Sequence, residues 1–203
     1  TFQKAFSWNY RMKNSVLAAT LLFTLVALLS FAVWAIGASL YTSEVGMYIL
    51  CAVVFFGLGG LALRPALGSN PTKRALAFSL HFAAGFLIYA FIWSVAWFTF
   101  RNTFGEVIGS FFGLLGLVLV LRRCMPSRPE LLTATAVVFL WHALGYYLGG
   151  QCYEALQNRG ILAIDLPMER GTVVTLARFS WGLFYGLGLG YGLSRMLQSA
   201  RPS

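Results

Sequence analysis

The sequence is poor in charge, and poorest in acid. Only 10% of its 203 residues are Asp, Glu, Lys or Arg, and just six are acidic. A soluble domain carries about 25% charged residues, so this composition cannot build an ordinary water-facing surface. Cysteine is scarce too. Cys51, Cys124 and Cys152 form no CxxC and cannot all pair, which disfavours a disulfide framework or a metal site. Neither GxSxG nor HExxH occurs, and no pair of aspartates lies within an apolar run. No apolar run carries a carboxylate at its centre, so ion coupling through buried acids lacks its usual residues. A cleavable leader is not expected. The first fourteen residues, TFQKAFSWNYRMKN, mix aromatic and basic side chains, and the apolar run behind them is too long for a signal core.

What is present is hydrophobe, 59% of the chain. It falls into six runs, 15–41, 45–67, 75–100, 104–121, 131–153 and 171–194. Each is long enough to cross a hydrocarbon layer of about 30 Å. Backbone polar groups in lipid must be satisfied internally, which leaves helices or a closed barrel. Continuous rather than alternating apolarity excludes the barrel. The expected fold class is therefore all-α, a polytopic bundle of six transmembrane helices. One domain, 15–196, would lie between a cytoplasmic or interfacial segment, 1–14, and a cytoplasmic tail, 197–203.

The net charge of +9 carries orientation. Lys4, Arg11 and Lys13, then Arg64, Lys73 and Arg74, then Arg122, Arg123 and Arg128, and finally Arg195 and Arg201 cluster at alternate ends of the runs. Of the acids, all but Glu130 fall at the other ends. The positive-inside rule then places both termini in the cytoplasm, in the plasma (inner) membrane. The bilayer is the expected partner and nucleic acid is not.

Two patterns bear on packing. FFGLGGLAL (Phe55 to Leu63) and FFGLLGLVL (Phe111 to Leu119) agree at seven of nine positions, and FYGLGLGYGLSR (Phe184 to Arg195) is a looser version. Three repeated helical hairpins, with their even helices meeting near a common axis, would produce such a pattern. The last run also sets Gly182, Gly186 and Gly190 on one side and Gly188 and Gly192 on another. Small residues let helices approach closely in lipid, so this helix is expected at the centre, with contacts on two faces. The same glycines could seat other membrane subunits.

Three ionisable residues lie within the runs: His81, His142 and Arg178. Arg178 shares a face with Thr175, Gly182 and Gly186 and should point inward. Its expected partner is Glu154, with Asp165 or Glu169 behind it. Snorkelling to the interface and an anionic ligand stay open. His142 heads a stripe with Tyr146, Gly149 and Tyr153, while Gln151, Cys152 and Glu154 mark the emergence of the same helix into water. Two histidines invite a haem reading, but His142 lies some five residues deeper than His81, an offset of roughly 8 Å. Axial ligands must meet at one plane, so no haem, and no other cofactor or metal, is expected.

Size, six helices and cytoplasmic termini are similar in outline to the substrate-binding subunits of energy-coupling-factor vitamin transporters, without signature residues to carry over. Three functions remain. The first is a small-molecule permease or the membrane substrate-binding part of a transporter, its site on the extracytoplasmic side from Arg178, Thr175, His142, Tyr146 and Glu154. The second is a non-catalytic subunit of a larger membrane assembly. The third, an intramembrane enzyme, rests on His142 alone, and no catalytic residue is assigned.

Overall fold

A computed structural model describes residues 2–67, 71–125, 127–159 and 162–200, with the side chains of 2–14 and 71–75 outside the description. Within these residues there are six long helices: α1 Phe2–Ile36, α2 Glu44–Ala62, α3 Pro71–Phe100, α4 Thr103–Leu121, α5 Leu131–Leu156 and α6 Arg170–Ser199. Five are long and apolar enough to cross a membrane. The sixth matches them in length, but its arginines and many glycines dilute its hydropathy. The expected boundaries hold to within a few residues, save that the first two runs stop being α-helical early, at Ile36 and Ala62, and end in 3-10 turns, Ala38–Leu40 and Arg64–Leu67. Residues 2–14 continue α1 rather than forming a separate element.

Polar residues set where several helices begin. Ser43 accepts from the Gly46 amide at 3.1 Å, and Asn102 from the Gly105 amide at 3.1 Å. Each satisfies a donor that the first helical turn leaves without a partner. Glu130 does the same for α5, accepting from Leu132 and Thr133 at 2.9 and 2.6 Å. The hydrogen bonds from Thr133, joined by that from Leu132, hold its carboxyl below the usual range. Arg101 adopts φ 50°, so α3 ends and α4 begins within two residues. That short turn forces the two helices antiparallel.

Each helix packs against the next, and α6 closes the ring on α1. Four of the six seams are drawn tight by glycine, among them α2 to α3, where Gly60 lies against the Ser79 backbone and Gly59 against the Phe82 ring. A methyl group at Gly109 would lie 2.9 Å from Ala96 Cβ and one at Gly113 3.0 Å from Tyr89 O, across α3 and α4. Across α6 and α1, Gly182, Gly186 and Gly190 face Phe31, Thr24 with Ala27, and Phe23. Across α5 and α6, Gly145 and Gly188 face each other. The two glycine faces of α6 thus meet two helices, α1 and α5. The expectation of a central α6 is corrected, because it is one member of the ring. Even helices do not meet on an axis either, since each lies between two odd ones.

Aromatic rings hold the α1–α2 and α4–α5 seams and reinforce α2–α3. Phe23 and Phe55 join α1 to α2 at 5.3 Å, Phe55 and Phe86 join α2 to α3 at 4.8 Å, and Phe111 and Phe139 join α4 to α5 at 5.4 Å. The two FFGL segments therefore play different parts. Phe55 is buried inside the ring, whereas Phe111 lies half-buried in a seam. Gly57 has open space where its counterpart Gly113 meets Tyr89.

At the end of the ring nearest the C-terminus, Leu63, Ala66, Leu117, Leu121 and Leu193 are all fully buried. The 3-10 turn after α2 lies against both α1 and α6 and helps close this proximal end. The distal end, which carries the α1–α2, α3–α4 and α5–α6 connections, is built differently.

Candidate functional site

Four consecutive helices each send an i, i+4 pair toward the ring interior. These are Tyr89 and Trp93 on α3, Glu106 and Ser110 on α4, His142 and Tyr146 on α5, and Trp181 and Tyr185 on α6. Residues four apart share a helix face, and antiparallel neighbours convert that spacing into two tiers. Tyr89, Ser110, His142 and Tyr185 form the deep tier. Trp93, Glu106, Tyr146 and Trp181 form the distal one.

In the deep tier His142 is 1% exposed. Its Nε2 is 3.1 Å from the Tyr89 hydroxyl, which the Ser110 and Tyr185 hydroxyls also flank. The Tyr185 ring meets His142 edge-on at 5.5 Å. Although Tyr185 faces inward between Phe31, Phe55 and His142, part of its surface stays accessible, so space remains beside it. The other imidazole nitrogen, Nδ1, is buried with no partner among the described residues. Buried polar atoms are nearly always hydrogen-bonded, which makes this one conspicuous.

The distal tier is linked to the deep one through Tyr146. Its ring stacks on His142 at 5.8 Å, with 18° between the planes. Its hydroxyl donates to Glu106 Oε1 at 3.3 Å. Trp181 packs edge-on against Tyr146 at 5.8 Å. Trp93 stacks on Trp97 at 6.0 Å, and its indole N–H is a second buried group without a partner. The result is a polar track, Glu106 to Tyr146 to His142 to Tyr89, walled by aromatic rings.

Nearer the rim, the expected pairing of Arg178 with Glu154 is corrected. Arg178 Nη1 donates to the backbone carbonyl of Trp34 at 2.7 Å, and the guanidinium carbon lies 4.7 Å from the centre of the Trp34 ring. Trp34 sits in the last turn of α1, where carbonyls lack helical partners and the helix dipole is negative. A helix end therefore compensates the charge that a carboxylate was expected to balance. Glu154 is exposed, and among the described residues neither it, Asp165 nor Glu169 forms an ion pair. Thr175, one turn before Arg178, is half-buried and makes no side-chain hydrogen bond among the described residues. The rim group touches the two tiers through Trp181, which lies 6.2 Å from Trp34 and 5.3 Å from Tyr153.

Of the five residues expected to bind a ligand, the structure brings His142 and Tyr146 together and leaves Arg178, Thr175 and Glu154 outside the track. His81 belongs to neither group, its Nδ1 lying 2.7 Å from Ala77 O on its own helix. Glu106 was missed because it reads as part of a connection. Asn102 caps α4 four residues earlier, which draws Glu106 into the helix and onto the face of Ser110. Tyr89 was missed in an apolar helix, although Phe78, Phe82, Phe86, Tyr89 and Trp93 recur at helical spacing.

Removing the Tyr89 hydroxyl tests the track directly. Tyr89→Phe leaves both nitrogens of His142 unpartnered and should cost about 1–3 kcal/mol of stability. Tyr89→Phe combined with His142→Phe should cost less than the two changes summed, since no orphaned nitrogen then remains. Thermal unfolding of the purified protein in detergent measures all three. No family model, curated protein or solved structure matches this chain.

Proposed function

We propose that this chain is a permease, or the membrane substrate-binding component of a transporter, that takes up a small molecule from the extracytoplasmic side. In this reading all six helices cross the cell membrane, and both termini are cytoplasmic. The polar track inside the ring carries the proposal. An ionisable side chain within a membrane bundle is costly and marks a functional path by default. Here a histidine and a carboxylate are joined through one tyrosine, with apolar packing closing the proximal end and rings lining the distal one. The α6 helix, 30 residues long, would reach about 45 Å. It lies between two apolar helices, so it needs less apolar surface of its own.

Native mass spectrometry of the gently solubilised protein tests the function. A retained small molecule, lost when His142→Ala and Tyr146→Ala are combined, is the expected result. Stoichiometric association with other membrane chains and no small molecule would establish an assembly subunit instead. Orientation is tested separately in sealed cells. An impermeant maleimide should label Cys152 and spare Cys124, and the reverse pattern would invert the topology.

A further inference from the structure

We infer that the distal tier selects a protonated organic amine, an ammonium ion that still carries N–H. This rests on the small-molecule reading above and names its substrate class. Glu106 is the one acidic side chain that joins the track, and among the described residues no lysine, arginine or histidine forms an ion pair with it. Arg178, the cation within the runs, is committed to the Trp34 carbonyl and ring. The carboxylate lies against Tyr146, whose ring packs on Trp181, in the first turn of α4, where the helix end favours its charge but supplies no cationic side chain. Aromatic faces are negative and attract cations most strongly where water is excluded. Both features of an ammonium site are therefore present, a counter-charge and a wall of rings.

The preference for N–H follows from the hydrogen-bonding positions left open. Tyr146 occupies one oxygen of Glu106 at 3.3 Å, which leaves the carboxylate further acceptor capacity. His142 Nδ1, 99% buried with its residue, has no partner. With Nε2–H directed at Tyr89, Nδ1 is a bare acceptor that no donor among the described residues satisfies. An anion would instead face Glu106 and the tyrosine ring faces, which is unfavourable on both counts. A quaternary ammonium would gain the rings but donate nothing to the open acceptor positions of Glu106.

Four probes built on one ring separate these possibilities: benzylammonium, benzyltrimethylammonium, benzyl alcohol and benzoate. Each is titrated into the purified full chain in detergent and followed by tryptophan fluorescence, since Trp93 and Trp181 stand in the tier. Saturable binding of benzylammonium in preference to the other three is expected. Glu106→Gln should weaken it by on the order of tenfold, equivalent to about 1.4 kcal/mol. The amide still accepts from Tyr146, so the variant should unfold at the wild-type temperature. Equal binding of benzyltrimethylammonium would overturn the N–H requirement. Preferred binding of benzoate or benzyl alcohol, or an unchanged affinity in Glu106→Gln, would overturn the cation class and leave the transport reading standing. No saturable binding of benzylammonium would also overturn it, and the native mass spectrum would then decide the transport reading independently.

Discussion

Arg178→Ala should lower the unfolding temperature sharply, while Glu154→Ala leaves it unchanged and the double variant behaves like Arg178→Ala alone. A charge-assisted hydrogen bond contributes about 1.5–3 kcal/mol. Stacking of the guanidinium on an indole adds roughly 0.5–2 kcal/mol, depending on its exposure. Loss of both gives about 3 kcal/mol, with the Trp34 carbonyl at the end of α1 left without its donor. A lysine should recover part of this, because it keeps the charge near the helix terminus but not the planar contact. A carboxylate partner would produce the opposite pattern in the double variant, since removing Glu154 would then rescue the loss. Thermal unfolding of the four variants in one detergent distinguishes the two.

The largest loss of stability is expected at a glycine. In Gly188→Val the new side chain would meet the Trp141 carbonyl oxygen and lie 2.8 Å from Gly145 Cα at its first carbon. Both are backbone atoms, so no rotamer change relieves the clash and α5 must move off α6. Overpacking of a tight core typically costs about 1–3 kcal/mol, occasionally more, and backbone contact on both sides places Gly188 at the upper end. Gly57→Ala and Gly150→Ala provide the contrast, because neither has an atom within 4 Å of the added methyl. They should be neutral or stabilising by up to about 1 kcal/mol through helix propensity. Comparable losses at all three positions would show that α5 and α6 are not held as described.

Much of the architecture was legible because it depends on hydrophobicity and length. Helix number, element boundaries and the two glycine faces of α6 follow from local pattern, and membrane packing obeys that pattern closely. Ring order is not local. Gly182 and Gly188 each announce a close neighbour but not its identity, so a central α6 and a ringed α6 look alike in sequence. The FFGL segments show the same limit, for near-identical residues in α2 and α4 meet unlike surroundings. Arg178 was correctly read as inward-facing, yet its partner is a main-chain carbonyl, and main chain leaves no mark in the sequence. Glu106 carries a related lesson. Whether an acid beside a turn belongs to the loop or to the first helical turn depends on the cap, and Asn102 decides it here.

The seams of the ring divide the molecule mechanically. Glycines zip α2 to α3 and α3 to α4, and others zip α5 to α6 and α6 to α1, whereas the boundary between α4 and α5 is held by rings such as Phe111 and Phe139. Two three-helix bodies therefore meet at this boundary and at the α1–α2 seam, α2 with α3 and α4 on one side and α5 with α6 and α1 on the other. Both hydrogen bonds of the polar track, Tyr89 to His142 and Tyr146 to Glu106, run from one body to the other. They act as paired clasps, so any widening of the boundary must release both, and the two bodies can then part only about the α1–α2 seam.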